Sequence, residues 1–406
     1  MDTITHGIAG ALIGKAVFGG RDLFPARAMG KDRVITWALM LGAIFPDSDV
    51  LREIVSKNDL LMLTWHRSIT HSLLCLPLWS ALLAWITVAL CRWRKWGAPS
   101  FVTLCGLYAI GLLSHIFLDL VTTFGTMIWS PLEWSRPAWD ILFIVDFTFT
   151  GILLVPQLVA WAYDVPEHHS KRAFLTWLIF TPAPFLISRI ARVVGAPISN
   201  ITVLVATLLF AVLFLLPAVQ GWGLRVRYPV WNRVGLALSC LYLLAATAAH
   251  FVALQRVEKF AQNLNVQPQA IGALPLPPSL WHWDGLVSAP RGVYEYKIDL
   301  SEGLLQHGLF DASYSDPNVI EHSYFPDASP NRFIETARNL PDVQTVLWFD
   351  RFPVTYFHPE GSEAVVEITD LRFARLRPDR TPSFTYQVRF AADGQLLSQG
   401  WLKPKK

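Results

Sequence analysis

Charged side chains are scarce in this 406-residue chain: Asp, Glu, Lys and Arg make up 16% of it, against about 25% in an ordinary soluble domain. Cysteine is scarce as well. Cys75, Cys91, Cys105 and Cys240 all lie in or beside apolar runs and form no CxxC pair. A disulfide framework is thereby excluded, and the four read as small buried side chains. Neither sign of charge dominates: the formal net charge is +3, which offers no electrostatic footprint for nucleic acid. The opening MDTITHGIAGALIG has an acid where a signal peptide needs positive charge, so cleavage is not expected. HExxH and GxSxG are both missing, which argues against a zincin-type intramembrane protease and a serine hydrolase.

What the chain does have is apolar surface, with 53% hydrophobic residues, 17 Trp and 25 Phe. The distribution is uneven. Residues 255–406 hold 15 basic and 18 acidic side chains, as a water-soluble domain would, whereas residues 1–254 hold 19 and 13 among long apolar runs. A bilayer crossing needs about 20 apolar residues. Runs of roughly that size fall at 73–90, 101–121, 141–163, 173–189, 201–220 and 234–254, and shorter ones at 7–18 and 34–45. The expected architecture is an α-helical polytopic membrane domain of about six to eight spans over 1–254, followed by a small mainly-β soluble domain. Between them, Pro268, Pro275, Pro277 and Pro278 suggest a linker over 255–285. Within 286–406, GVYEYKIDL, VQTVLWF, AVVEITDLRF and SFTYQVRF read as strands, with a helix near 329–339. Trp281, Trp283, Trp348 and Tyr356 there would either bind substrate or fill a core.

Orientation follows from Lys and Arg in short loops. With eight spans and the N-terminus outside the cytoplasm, loops 19–33, 91–100, 164–172 and 221–233 are internal and carry twelve basic residues; the external loops of the membrane half carry six. Arg189 and Arg192 run against the trend. This orientation predicts a multi-pass membrane protein with its C-terminal domain outside the cytoplasm, which in a two-membrane bacterium is the periplasm and implies the inner membrane.

Polar residues collect at a few places in the apolar half. His115 and Asp119 are four apart in an apolar run, on one face of a helix, where they could grip one metal ion or hydrogen-bond two helices together. Ionisable groups within spans usually mark function. His66 and His71 are five apart, about 140° around a regular helix, so both serve as ligands only if the segment bends; otherwise they are interfacial side chains. Arg67 between them could clamp a phosphate or face lipid headgroups. Asp47 and Asp49 follow a proline and could bind metal, orient a histidine or cap a helix. Asp146 could support a ligand histidine or make a buried hydrogen bond. His168, His169, His250, His282, His307, His322 and His358 read as structural or solvated. In the eight-span arrangement His6, Asp47, Asp49, His66, His71, His115 and Asp119 all fall on the same side of the membrane. One cluster of imidazole and carboxylate donors suits Zn²⁺, Mn²⁺ or Fe²⁺.

Thr5-His6, Pro46-Asp47-Ser48-Asp49, His66-Arg67-Ser68-Ile69-Thr70-His71-Ser72 and His115-Ile116-Phe117-Leu118-Asp119 with Thr122-Thr123-Phe124-Gly125, together with Asp140 and Ile144-Val145-Asp146, resemble the YdjM-like family of inner-membrane proteins, which is taken to consist of metal-dependent hydrolases. The similarity covers roughly residues 1–165 and leaves out the β domain. The family is thought to be related to zinc-dependent phospholipases C and P1-type nucleases, helical enzymes with a His/Asp zinc cluster. The resemblance implies His6, Asp47, His66, His71, His115 and Asp119 as metal ligands for Zn²⁺, with Mn²⁺ as the substitute. Asp49, Arg67 and Asp140 become the catalytic candidates. The expected activity is hydrolysis of a phosphoester such as a phospholipid or lipid-linked phosphate, with membrane lipid as the partner. The competing expectation is a non-enzymatic membrane protein that binds a metal or recruits a partner.

Overall fold

The structure, a computed structural model, describes residues 1–19, 31–56, 58, 60–97, 99–193, 198–277, 279–301, 322–373 and 384–402. Most of the loop 19–33, with Arg21 and Arg27, lies outside the described residues, as do Pro278 and His307. The chain divides into two compact units, 1–49, 67–139 and 144–244 in the first and 50–66, 140–143 and 245–406 in the second.

In the first unit, helix α1 (Thr3–Ile13) is capped by Asp2, whose carboxylate accepts from Thr5 N at 2.9 Å. Helix α2 (Lys31–Ile44) leads into a 3₁₀ turn (Phe45–Asp49). Short helices α3 (Val50–Val55) and α4 (Leu61–Thr64) belong to the second unit. Back in the first unit, helix α5 (Leu76–Trp93) has Pro77 in its first turn, where no donor is lost. Helix α6 (Phe101–Leu120) is capped by Ser100, and α7 (Phe147–Ala162) by Asp146, which accepts from Thr148 N and Phe149 N. Helices α8 (His169–Phe180), α9 (Ala183–Val193), α10 (Asn200–Leu215) and α11 (Tyr228–Asn263) follow.

Glycine lets α1, α2 and α6 approach to backbone contact. A Cβ at Gly10 would stand 2.6 Å from Leu39 O, and one at Gly111 likewise 2.6 Å from Leu39 O. Small residues at crossing points are how helices pack where the hydrophobic effect between them is weak. Ile35, Leu39, Leu104, Leu107 and Tyr108 fill the space between α2 and α6. Along α10, Ile201, Leu204, Val205, Leu208, Leu209 and Val212 are exposed, the surface a lipid-facing helix presents.

Among the described residues five helices are long and apolar enough to cross a membrane, or six if the bent pair Phe147–Ala162 and Pro166–Arg189 is one span. That count is lower than the sequence reading at its upper end. The runs 141–163 and 173–189 form this pair, bent by 103°. Thr3–Phe18 is apolar but short, while the run at 34–45 extends to Val34–Arg52 and reaches spanning length.

The second unit holds two four-stranded antiparallel sheets. The first contains β1 (Ala270–Leu276), β2 (His282–Ala289), β3 (Gly292–Asp299) and β4 (His322–Pro326), in that order. Helices α12 (Arg332–Arg338) and α13 (Pro341–Phe349) precede the second sheet, β5 (Pro353–Glu360), β6 (Glu363–Asp370), β7 (Thr385–Ala391) and β8 (Leu396–Trp401). The C-terminal part of α11 packs Val257 and Phe260 against Trp283, Tyr296 and Ile298. Leu274, Leu286 and Val293 of the first sheet meet Phe352, just before β5, and Val354 within β5. Trp283 thus fills a core, whereas Trp348 is exposed.

Two sequence expectations are corrected here. The stretch 255–285 is the end of α11, strand β1 and the start of β2; Pro275 sits in the edge strand β1, where a missing donor is tolerated. VQTVLWF is helical, because Pro341 starts a helix and Val343, Val346 and Phe349 recur every third residue on its buried face.

Candidate metal centre

The site is built at one end of three helices. His6 comes from the first turns of α1, Asp47 and Asp49 from the 3₁₀ turn that ends α2, and His115 and Asp119 from the last turns of α6. The remaining piece is the turn Ile69–His71, which Arg67 introduces with a positive φ of 59°. That left-handed conformation is uncommon for a residue with a side chain. It is held by Asp49, whose Oδ2 accepts from Arg67 N at 2.9 Å and from Thr70 Oγ1 at 3.2 Å.

Asp47, His71, His115 and Asp119 each offer one ligand atom, and these atoms lie within 4.8 Å of one another. The Nε2 atoms of His71 and His115 are 3.0 Å apart. Asp119 Oδ2 is 3.2 Å from His71 Nε2 and 3.3 Å from His115 Nε2, and Asp47 Oδ1 is 3.4 Å from His115 Nε2. Three of the four residues are fully buried, and Asp47 is 10% exposed.

The protons on this cluster can be assigned from its neighbours. His115 Nδ1 is 2.6 Å from Ala43 O, and a carbonyl only accepts, so the ring donates there. A neutral His115 then presents a lone pair at Nε2. His71 Nδ1 lies 3.0 Å from Thr70 Oγ1 and 3.5 Å from Asp49 Oδ2, which favours the same tautomer. Asp119 Oδ2 is buried and, among the described residues, receives no hydrogen bond. Two imidazole lone pairs and two carboxylate oxygens then face one another in a largely buried space. A buried acceptor without a donor is costly, and one shared proton relieves only one pair. A divalent ion relieves all four, and the mixed nitrogen and oxygen donors fit Zn²⁺ or Mn²⁺. Carbonyl or carboxylate support at the far ring nitrogen is the usual companion of a ligand histidine.

The other oxygen of Asp119 is fully engaged. Oδ1 lies 2.8 Å from Arg67 Nη2 and 3.2 Å from His6 Nε2, and the Met1 amine also pairs with it. His6 stacks on His115 with ring centroids 3.7 Å apart. It therefore packs against the four-residue cluster and is not one of its members.

Arg67 is buried. Its Nη2 is taken by Asp119 and its Nη1 donates to Thr122 Oγ1 at 3.0 Å, with the guanidinium 5.2 Å from the Phe124 ring centre. The sequence suggested a phosphate clamp, but the structure gives Arg67 a carboxylate of its own chain. His66 belongs to the second unit, outside the cluster. Asp140 also belongs to the second unit, where Arg351 Nη1 pairs with it at 2.9 Å. Asp146 caps α7 and accepts from Tyr242 OH at 2.8 Å, the buried hydrogen-bond role of the two foreseen for it. Thr122 stood in a quoted motif, but its bond to Arg67 was not visible in the sequence, nor was the role of Ala43 O, since a backbone carbonyl leaves no sequence signal.

A family model described as YdjM inner membrane protein matches residues 1–256. That stretch contains the cluster and every other candidate metal-ligand or catalytic residue, and it ends before β1 begins. No curated protein and no solved structure matches the chain.

Proposed function

Because the chain belongs to the YdjM inner membrane protein family, we propose that it is a membrane-embedded, metal-dependent hydrolase of a phosphoester such as a phospholipid or lipid-linked phosphate. The observation that carries this reading is the buried convergence of Asp47, His71, His115 and Asp119 with an unsatisfied carboxylate oxygen among them. These four residues would hold the ion. A divalent ion there supplies Lewis-acid activation of water near neutral pH and neutralises phosphate oxygens.

The chain's own groups divide the remaining work. Asp47 is the most open of the four, and Thr3 Oγ1 holds its Oδ2 at 2.5 Å, leaving Oδ1 for the ion. Asp49 fixes the His71 turn, and Arg67 fixes Asp119, so both act as positioning residues. A lipid phosphate is the favoured substrate because the cluster sits at the helix ends of an apolar bundle. In the orientation favoured by loop charge, that end is the outer, periplasmic face.

A second reading is kept by one observation. Four protein donors would leave a bound ion without an open position for water, as in structural zinc sites, and such a site would make the protein a metal-binding or partner-recruiting membrane protein without turnover. The deciding experiment compares detergent-purified wild type with a His115→Ala/Asp119→Ala double variant for bound metal and for hydrolysis of bis(p-nitrophenyl) phosphate and phospholipid. Stoichiometric metal with turnover, both lost in the variant, supports the hydrolase. Metal without turnover supports the second reading, and no metal after resupply overturns both.

A further inference from the structure

Helices α9 and α10 enclose a groove of about 260 Å³ lined by Phe185, Ser188, Arg189, Arg192, Asn200, Val203 and Leu204. We propose that this groove is a binding site for an anionic phospholipid, with the phosphate held by Arg189, Arg192 and Ser188 and the start of an acyl chain along Phe185, Val203 and Leu204. The inference is independent of the hydrolase reading and uses none of its residues.

Residue spacing sets the polarity of the groove. Phe185, Ser188, Arg189 and Arg192 recur at three and four residues, which places them along one stripe of α9. On α10 the stripe Asn200, Val203 and Leu204 runs from the first residue inward. Arginine and asparagine therefore collect where α9 ends and α10 begins, and apolar side chains follow one turn further along each helix. A headgroup at one end and a chain at the other is the distribution a phospholipid matches.

Three observations fit an anion at the polar end. Arg189 and Arg192 are exposed and, among the described residues, form no ion pair, so two guanidinium forks are available for phosphate oxygens. Asn200 opens a sixteen-residue helix, whose N-terminal end carries partial positive charge. Ser188 is 3% exposed, yet its hydroxyl has no hydrogen-bond partner among the described residues. Serine and threonine inside helices normally donate to the carbonyl four residues back. Thr176, Thr207 and Ser239 of this chain do so at 2.8 Å. Ser188 leaves that bond unmade while lining the groove. The site also gives a reason for the two arginines that break the loop-charge pattern: they are kept for a ligand, whichever side they face.

The experiment is native mass spectrometry of the full chain in detergent, titrated with phosphatidylglycerol or with phosphatidylcholine of the same acyl chains. Wild type should retain phosphatidylglycerol about tenfold more strongly than phosphatidylcholine, with the preference weakened by salt. Arg189→Gln/Arg192→Gln should remove the preference, and Ser188→Ala should reduce it. Inorganic phosphate should compete only weakly, since it lacks the chain that the apolar end holds. Equal retention of both lipids by wild type would overturn the proposal whatever the variants do, as would an unchanged preference in a double variant that still elutes as a folded monodisperse species. Full competition by inorganic phosphate would overturn the lipid assignment in favour of a free-anion site.

Discussion

His71 and His115 turn their Nε2 atoms toward each other at 3.0 Å, and each ring is steadied at its other nitrogen, His115 by Ala43 O and His71 by Thr70 and Asp49. Rings fixed in this way present lone pairs to a common point. Replacing either histidine with alanine should remove bound metal from the purified protein. His66→Ala and Asp140→Asn should leave it in place, because neither residue belongs to the cluster. Elemental analysis of the four proteins decides this; loss of metal in His66→Ala would redraw the ligand set.

Asp49 offers no ligand atom to the cluster but anchors the turn that carries His71. Asp49→Ala should weaken metal affinity by about 10–100-fold, the usual effect of losing a group that orients a ligand. Competition with a chromogenic chelator measures this. An unchanged affinity would show that the turn holds without Asp49.

Arg67 and Asp119 form a buried pair. Arg67→Met would strand the carboxylate, and breaking a buried pair from one side costs about 3–5 kcal/mol. The metal-free variant should melt well below the wild type. Metal should restore part of the loss, since an ion also neutralises Asp119. A melting temperature equal to the wild type's would contradict this account of Arg67.

Gly111 lets α6 touch α2, and an added Cβ would lie 2.6 Å from Leu39 O. Gly111→Val should destabilise by about 1–3 kcal/mol through overpacking. It should also lower metal occupancy, because α6 carries two of the donors. Gly106, with nothing near its missing Cβ, is the matched control and should tolerate alanine. Melting temperature and metal content report the two effects together.

In the C-terminal unit, burial and the nearby Asp370 hold the Asp350 carboxyl well above the usual carboxylate range, against the pull of Arg372. The folded state keeps a proton that the unfolded chain gives up near its ordinary pKa. Its stabilising contribution is therefore full below the usual carboxylate range and declines as pH rises toward the elevated value. Asp350→Asn should flatten that decline and raise the melting temperature at pH 8, by about 2–4 °C for each kcal/mol recovered. Parallel pH slopes for the two proteins would remove Asp350 from the account.

The donors were legible in the sequence to different degrees. His115 and Asp119 could be paired because helical spacing alone puts them on one face. Asp47 and His71 could be gathered only by asking which ends of the helices coincide. The choice of His71 over His66 was beyond spacing, since it depends on the left-handed backbone at Arg67, which a carboxylate distant in sequence stabilises. Arg67 shows a related limit. A guanidinium in a loop suggests an external anion, and only the tertiary fold reveals that Asp119 already occupies it. In the β unit, Pro275 was taken to interrupt structure, whereas it sits on a sheet edge, and VQTVLWF was read as a strand, whereas Pro341 begins a helix there.

The four donors stand at positions 47, 71, 115 and 119, on stretches of chain that are synthesised one after another. Before α6 is in place the nascent protein has at most half the set, and neither half alone makes the enclosed site. If the proposed ion binds there, it can be enclosed only once the third of these stretches is in place.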